Sequence, residues 1–285
     1  MQHLDGFAPL AARYRGIVLD LWGVVHDGVA PYPGAVACLA RLRDAGRRVV
    51  LLSNAPRRAA IAAAHMADMG IAPDLYTGIV TSGEATHALL RDRDAPGFAD
   101  LGRRLHHIGP ARDRNVFAGL DYIDAATPQD ADFVLNTGPD DTRSPTEIGP
   151  WHDELAACRA AGLPMICANP DLEVIRGGAR VICAGALALH YASLGGRVIW
   201  VGKPDPDVYR PVLAMLDLPR AEVLAVGDAL RTDIAGAAAA GIASAWVLGG
   251  IHAAELAGPA VAEAAARAAG LAPVATLPAF RWQAG

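Results

Sequence analysis

The chain has 285 residues, 53% hydrophobic and 19% charged, with a formal net charge of −5. So large an apolar share excludes a disordered chain, and the acidic balance leaves no basic footprint for nucleic acid. No stretch approaches the roughly 20 apolar residues that cross a bilayer, and the start MQHLDGFAPLAARYRG lacks the basic-then-apolar pattern of a secretion signal, so the expected location is the cytoplasm.

In chain order, Ile17-Val18-Leu19 reads as a buried parallel strand that ends at Asp20, with Trp22, Gly23 and His26-Asp27-Gly28 behind it. Helical spacing over Gly34 to Ala45 leads to a second strand, Val49 to Leu52, that ends at Ser53-Asn54. Pro56 suits a first helical turn, and the helix is expected over Arg57 to Met69; a third strand, Gly78 to Val80, follows. Alternation of this kind argues for a parallel sheet with crossover helices.

The middle differs in texture. Leu105 to Ile108, Phe133 to Asn136 and Met165 to Ala168 read as short strands, with a loop over Thr137 to Pro150 and helices over Trp151 to Ala161 and Ala184 to Leu194. Gly177-Gly178 is read as a break. The opening texture returns with strands Val198 to Val201, Val223 to Val226 and Ala243 to Leu248, and helices Pro206 to Leu216, Ile234 to Ala240 and Val261 to Ala269. The fold class is α/β: a Rossmann-like core from residues 1–83 and 198–285, with residues 84–197 inserted as a second α/β unit. Cys38, Cys158, Cys167 and Cys183 have no CxxC spacing, which argues against zinc and for small buried residues.

Four apolar runs end in polar residues: Asp20, Ser53, Lys203, and Asp228 with Asp233. Parallel strand ends point one way, so these groups can converge on one crevice. Taken singly, Ser53 is equally a helix cap, Gly202-Lys203-Pro204 a loop, and Thr232 or Asp233 an N-cap. Together they suit phosphoryl chemistry. A carboxylate can form an aspartyl-phosphate, Mg²⁺ takes carboxylate and phosphate oxygens, and a lysine neutralises the transferring group.

The segments DLWGVVHDG, LLSNAPR, VGKPDPDVY and VGDALRTDIAGAAAAG resemble the four motifs of the haloacid dehalogenase-like (HAD) hydrolases. The inserted block between the second and third, with its ANPD at Ala168 to Asp171, resembles the cap of class IIA, a group of sugar-phosphate and nitrophenyl-phosphate phosphatases. The resemblance implies Asp20 as nucleophile and Mg²⁺ ligand, Ser53 and the Asn54 backbone as phosphoryl contacts, and Lys203 as the cation that steadies both. It implies Asp228, Asp233 and the backbone carbonyl of Trp22 around the metal. Dimerisation through the cap is the association common in this class.

One position departs. Family phosphatases carry a second Asp, the general acid and base, where this chain has Trp22. Such help is usually worth about 10²–10⁴-fold, so good leaving groups are expected to be favoured. His26, oriented by Asp27, is the candidate replacement acid, or a loop residue with no role. Trp22 is a candidate wall against substrate; Asn169, Asp171 and Arg176 are candidate cap contacts, or a turn cluster. The expected activity is Mg²⁺-dependent hydrolysis of a small phosphorylated metabolite. The alternative is a degenerate scaffold that binds a phosphorylated ligand without turnover. C–halogen or C–P cleavage ranks lower, since Lys203 sits in the phosphatase-like context and no cap lysine is placed for a Schiff base.

Overall fold

The computed structural model describes residues 1–251 and 258–283. Its strands are β1 (Gln2–His3), β2 (Gly16–Leu19), β3 (Arg48–Ser53), β4 (Gly78–Thr81), β5 (Arg104–Ile108), β6 (Ile123–Asp124), β7 (Phe133–Asn136), β8 (Met165–Cys167), β9 (Glu173–Arg176), β10 (Ala179–Ile182), β11 (Val198–Trp200), β12 (Val223–Gly227), β13 (Ala243–Val247) and β14 (Ala275–Leu277). The helices are α1 (Ala8–Arg13), α2 (Ala35–Asp44), α3 (Ala59–Asp68), α4 (Ser82–Asp92), α5 (His152–Ala160), α6 (Ala184–Ser193), α7 (Tyr209–Leu216), α8 (Ala235–Ala239) and α9 (Pro259–Ala268). Among the described residues no helix is long and apolar enough to cross a membrane.

Seven strands form a parallel sheet in the order β1-β14-β13-β12-β2-β3-β4. The strand period of two explains its continuous apolar sequences. Ile17, Leu19, Val49, Leu51, Leu224 and Val226 face one core, with α2 residues Leu39 and Leu42. Val18, Val50, Leu52, Val223 and Ala225 face the other, with Val212 and Leu216 of α7. The connections run one way from β2 to β3 and the other way from β12 to β13, so β2 and β12 flank the switch point, the usual crevice of such a sheet.

A second parallel sheet runs β11-β8-β7-β5-β6 and covers both its faces in the same alternating way. β11 belongs here: Val198 to Trp200 pair with Met165 to Cys167. The expected boundary at 198 therefore moves beyond Trp200, because the ladder of β8 and the partly buried Ile199 and Trp200 hold this strand to the second sheet. Also unforeseen are α1, α4, the edge strands β1 and β14, and the antiparallel hairpin β9–β10. The supposed break at Gly177-Gly178 is the turn of that hairpin, with φ of 54° and 83°. Two left-handed central residues match the twist of a two-residue hairpin, and glycine adopts them at little cost.

Candidate active site

Asp20 follows β2, and its backbone N–H donates to Val226 O of β12 at 2.9 Å, so the ladder itself sets its position. Asp228 follows β12 on the next strand. Asp233 comes from the π-helical turn Leu230–Ile234 that precedes α8. Ligand oxygens of Asp20, Asp228 and Asp233 lie within 4.8 Å of one another, and all three residues are buried. Lys203 Nζ donates to Asp20 Oδ1 and Asp233 Oδ1, each at 2.6 Å, and to Leu52 O at 3.1 Å.

The remaining bonds fix the acids. Ala229 N–H donates to Asp233 Oδ2 at 3.1 Å, and Ile251 N–H to Asp228 Oδ2 at 2.8 Å. Tyr209 and Trp246 hold the main-chain carbonyls of Asp233 and Asp228. Asp20 Oδ2 and Asp228 Oδ1 are left without a hydrogen bond among the described residues. Asp228 is closely walled: a Cβ on Gly23, whose φ is 76°, would lie 1.9 Å from its Oδ2, and one on Gly250 2.0 Å away. Both positions therefore exclude any side chain.

Burial, then the charge of Asp233, raise the Asp20 carboxyl well above the ordinary range, against the pull of Lys203. The same two causes bring Asp228 up to about 7. Burial works against the Lys203 ammonium, but the charges of Asp20, Asp233 and Asp171 hold its pKa well above the usual value. Three carboxylates thus share one lysine, an arrangement short of positive charge. All the donors are hard oxygens at a mutual spacing one small divalent cation can bridge, so the residues fit a cation such as Mg²⁺ or Ca²⁺.

A cavity of about 210 Å³ opens on Asp20, Lys203, Asp228 and Asp233, walled by Trp22, Asp171 and the hairpin residues Glu173 to Ile175. A second, of about 300 Å³, adjoins it through Trp22, Asp171 and Val174. Its wall comes from Ala55 to Arg57 beyond β3 and from Pro110, Thr137 and Asn169 beyond β5, β7 and β8. The carboxyl ends of the two sheets therefore face each other across the second cavity.

The other sequence candidates divide. Asn54 links the two sheets: its Nδ2 donates to Asp171 Oδ1 at 2.9 Å and its Oδ1 accepts from Lys203 N–H at 2.8 Å. Ser53 is buried, and its Oγ accepts from Ala55 N–H at 3.2 Å. Asn169 Oδ1 accepts from Asp171 N–H at 3.0 Å, a turn that aims Asp171 at the core. The Trp22 ring lies over Gly28, edge-on to His26, and faces both cavities.

His26 is corrected. It is 2% exposed and lines neither cavity. Its Nδ1 accepts from Gly28 N–H at 3.0 Å, and burial, then the neighbouring His65, lower its pKa to about 4. A neutral, buried ring that braces the loop is no proton donor to substrate. Two contributors went unseen. Arg231 donates to Pro170 O and lines the first cavity, a role its place inside GDALRTD hinted at. Ile251 N–H had no sequence signal.

Comparison with known proteins agrees with this geometry. Residues 17–123 match the family described as haloacid dehalogenase-like hydrolase, and residues 200–274 match a second, HAD-hydrolase-like description. The ribonucleotide monophosphatase NagD of Escherichia coli K12 is 31% identical over 245 residues, 83% of this chain and 88% of that protein. The D-glycerol 3-phosphate phosphatase of Mycobacterium tuberculosis is 32% identical over 86% of this chain, which spans 66% of that relative's length. A haloacid dehalogenase-like hydrolase from Brucella suis 1330 superposes with a TM-score of 0.83 at 34% identity, covering 97% of this chain and 99% of that one. A glycerol phosphate phosphatase from M. tuberculosis, solved in complex with magnesium, gives 0.64 at 28%, covering 88% of this chain and 71% of that one. The chain belongs to the haloacid dehalogenase-like hydrolase family, in its class IIA.

Proposed function

We propose that the protein is a Mg²⁺-dependent phosphatase of small phosphate esters, working through a phosphorylated Asp20. The observation that carries this reading is the bond of Lys203 Nζ to both Asp20 Oδ1 and Asp233 Oδ1 at 2.6 Å, beside an Asp20 Oδ2 with no partner among the described residues. Lys203 fixes the carboxylate and leaves its second oxygen to attack phosphorus. The P–O bond to the leaving group breaks as the Asp20–phosphorus bond forms. Water then attacks the phosphorus of the acyl phosphate, the bond to Asp20 breaks, and inorganic phosphate is released. Asp20, Asp228, Asp233 and the Trp22 carbonyl would hold the Mg²⁺, which neutralises the phosphoryl oxygens as negative charge gathers on them.

Trp22 supplies no proton to the departing oxygen, and His26 does not replace it. Esters whose alcohol leaves readily as an anion, such as p-nitrophenyl phosphate, should therefore turn over faster than alkyl phosphates. The phosphatase activities of the relatives NagD and D-glycerol 3-phosphate phosphatase support this reading. The second reading, a scaffold that binds a phosphorylated ligand without turnover, is favoured by Trp22 alone. Steady-state release of phosphate from p-nitrophenyl phosphate separates the two. Hydrolysis should require added Mg²⁺, vanish with a chelator and return on re-addition; binding of phosphate without any release would sink the enzymatic reading.

A further inference from the structure

The hairpin β9–β10 divides the two cavities. Glu173 and Ile175 of β9 line the cavity of the carboxylates, Arg176 and Val181 line the second, and Val174, cross-strand partner of Val181, borders both. Alternation along a strand requires this division. Trp22, Val174 and Val181 give the second cavity an apolar wall.

Its charges are nearly all spoken for. Arg57 Nε donates to Asp113 Oδ1 at 3.2 Å, and Arg112 Nη1 to both oxygens of Asp141, at 2.7 and 2.6 Å. Asp140 is held by Arg143 at 2.6 Å, and Asp171 by Asn54. Arg176 has no hydrogen bond or ion pair among the described residues, and Asp171 meets only the neutral Asn54 amide, so the wall carries one guanidinium and one carboxylate with no opposite charge in contact. At a strand rise of about 3.3 Å per residue, the Arg176 Cα lies roughly 10 Å beyond that of Glu173, which borders the carboxylate cavity.

We infer that the second cavity binds the leaving group of the substrate, and that Arg176 selects esters carrying a second anionic group, a carboxylate or phosphate, at the end remote from the reacting phosphorus. A guanidinium with free donors matches either group bidentately. This rests on the phosphatase reading for its kinetic arm only; binding tests it separately.

The probes are 6-phosphogluconate and glucose 6-phosphate, similar in length, of which only the first carries a carboxylate at its far end. The expected kcat/KM ratio is at least about tenfold in favour of 6-phosphogluconate. Arg176→Gln should bring that ratio to near one through KM. Titration calorimetry of the Asp20→Asn protein should show the same preference without turnover. Equal binding of the two sugars, or a preference that survives Arg176→Gln, overturns the inference even if p-nitrophenyl phosphate is hydrolysed. Absence of all hydrolysis with the binding preference intact would instead overturn the phosphatase reading alone.

Discussion

The two parallel sheets present the same kind of edge and make different use of it. At the carboxyl end of the first, Asp20, Asp228 and Asp233 crowd around one lysine with oxygens to spare. At the carboxyl end of the second, Asn136 Nδ2 donates to Ala184 O at 2.9 Å and its Oδ1 accepts from Gly138 N–H at 3.1 Å. Thr137 Oγ1 meets His107 Nε2 at 2.9 Å. Parallel topology places side chains at a crevice, but only unfinished charge makes that crevice chemical. The second edge, with its polar groups bonded internally, is suited to shaping a pocket.

The comparison breaks most sharply at Asp20. Asp20→Asn keeps the size and loses the nucleophile, so phosphate release should fall by at least about 10⁴-fold, to the assay floor. A rate that survives would show that the crowded edge is not where the chemistry happens.

Trp22→Asp sharpens the contrast from the other side by adding a proton donor at the first edge. Turnover of an alkyl phosphate should rise by at least about tenfold relative to p-nitrophenyl phosphate. An unchanged ratio of the two rates would rule out the missing acid as the limit on this protein.

The seam between the sheets should respond in stability. Arg57 of the first unit pairs with Asp113 of the second, and burial brings Asp113 up to about 6 despite that partner. The unfolded value is near 3.9. The native state therefore binds the proton more readily, and this group adds stability below pH 4 that is lost as pH rises through 6. Asp113→Asn should flatten urea-unfolding stability between pH 4 and 7 by up to about 3 kcal/mol. A pH dependence identical to that of the parent chain would count against the buried pair.

Asn136→Ala is the smallest change and the direct control for Asp20. It leaves buried groups of the second edge unpaired, at a cost of about 1–3 kcal/mol in chemical unfolding. The rate with p-nitrophenyl phosphate should stay within about twofold of the parent; a large loss would mean that both edges take part in the chemistry.

Much of this was legible from sequence because the information is local. Continuous apolar runs such as VVLL and VLAV mark buried parallel strands, and a polar residue at the end of each marks the edge. Asp20, Lys203, Asp228 and Asp233 were found in that way. The hairpin was missed because two flanking glycines look alike whether they end a segment or turn it, and the edge strands β1 and β14 are too short, at 2 and 3 residues, to show a period.

Sequence by itself determined the alternation of elements and the identity of the charged groups at the strand ends, since both follow from side-chain type and spacing. Tertiary structure alone decided what each group does. It bound His26 into its own loop, tied the Asn54 side chain to Lys203 and Asp171, and left Arg176 without a partner among the described residues. The physical reason is that protonation and hydrogen bonding depend on which distant groups lie within about 3 Å, and that distance is set by packing of segments far apart in the chain.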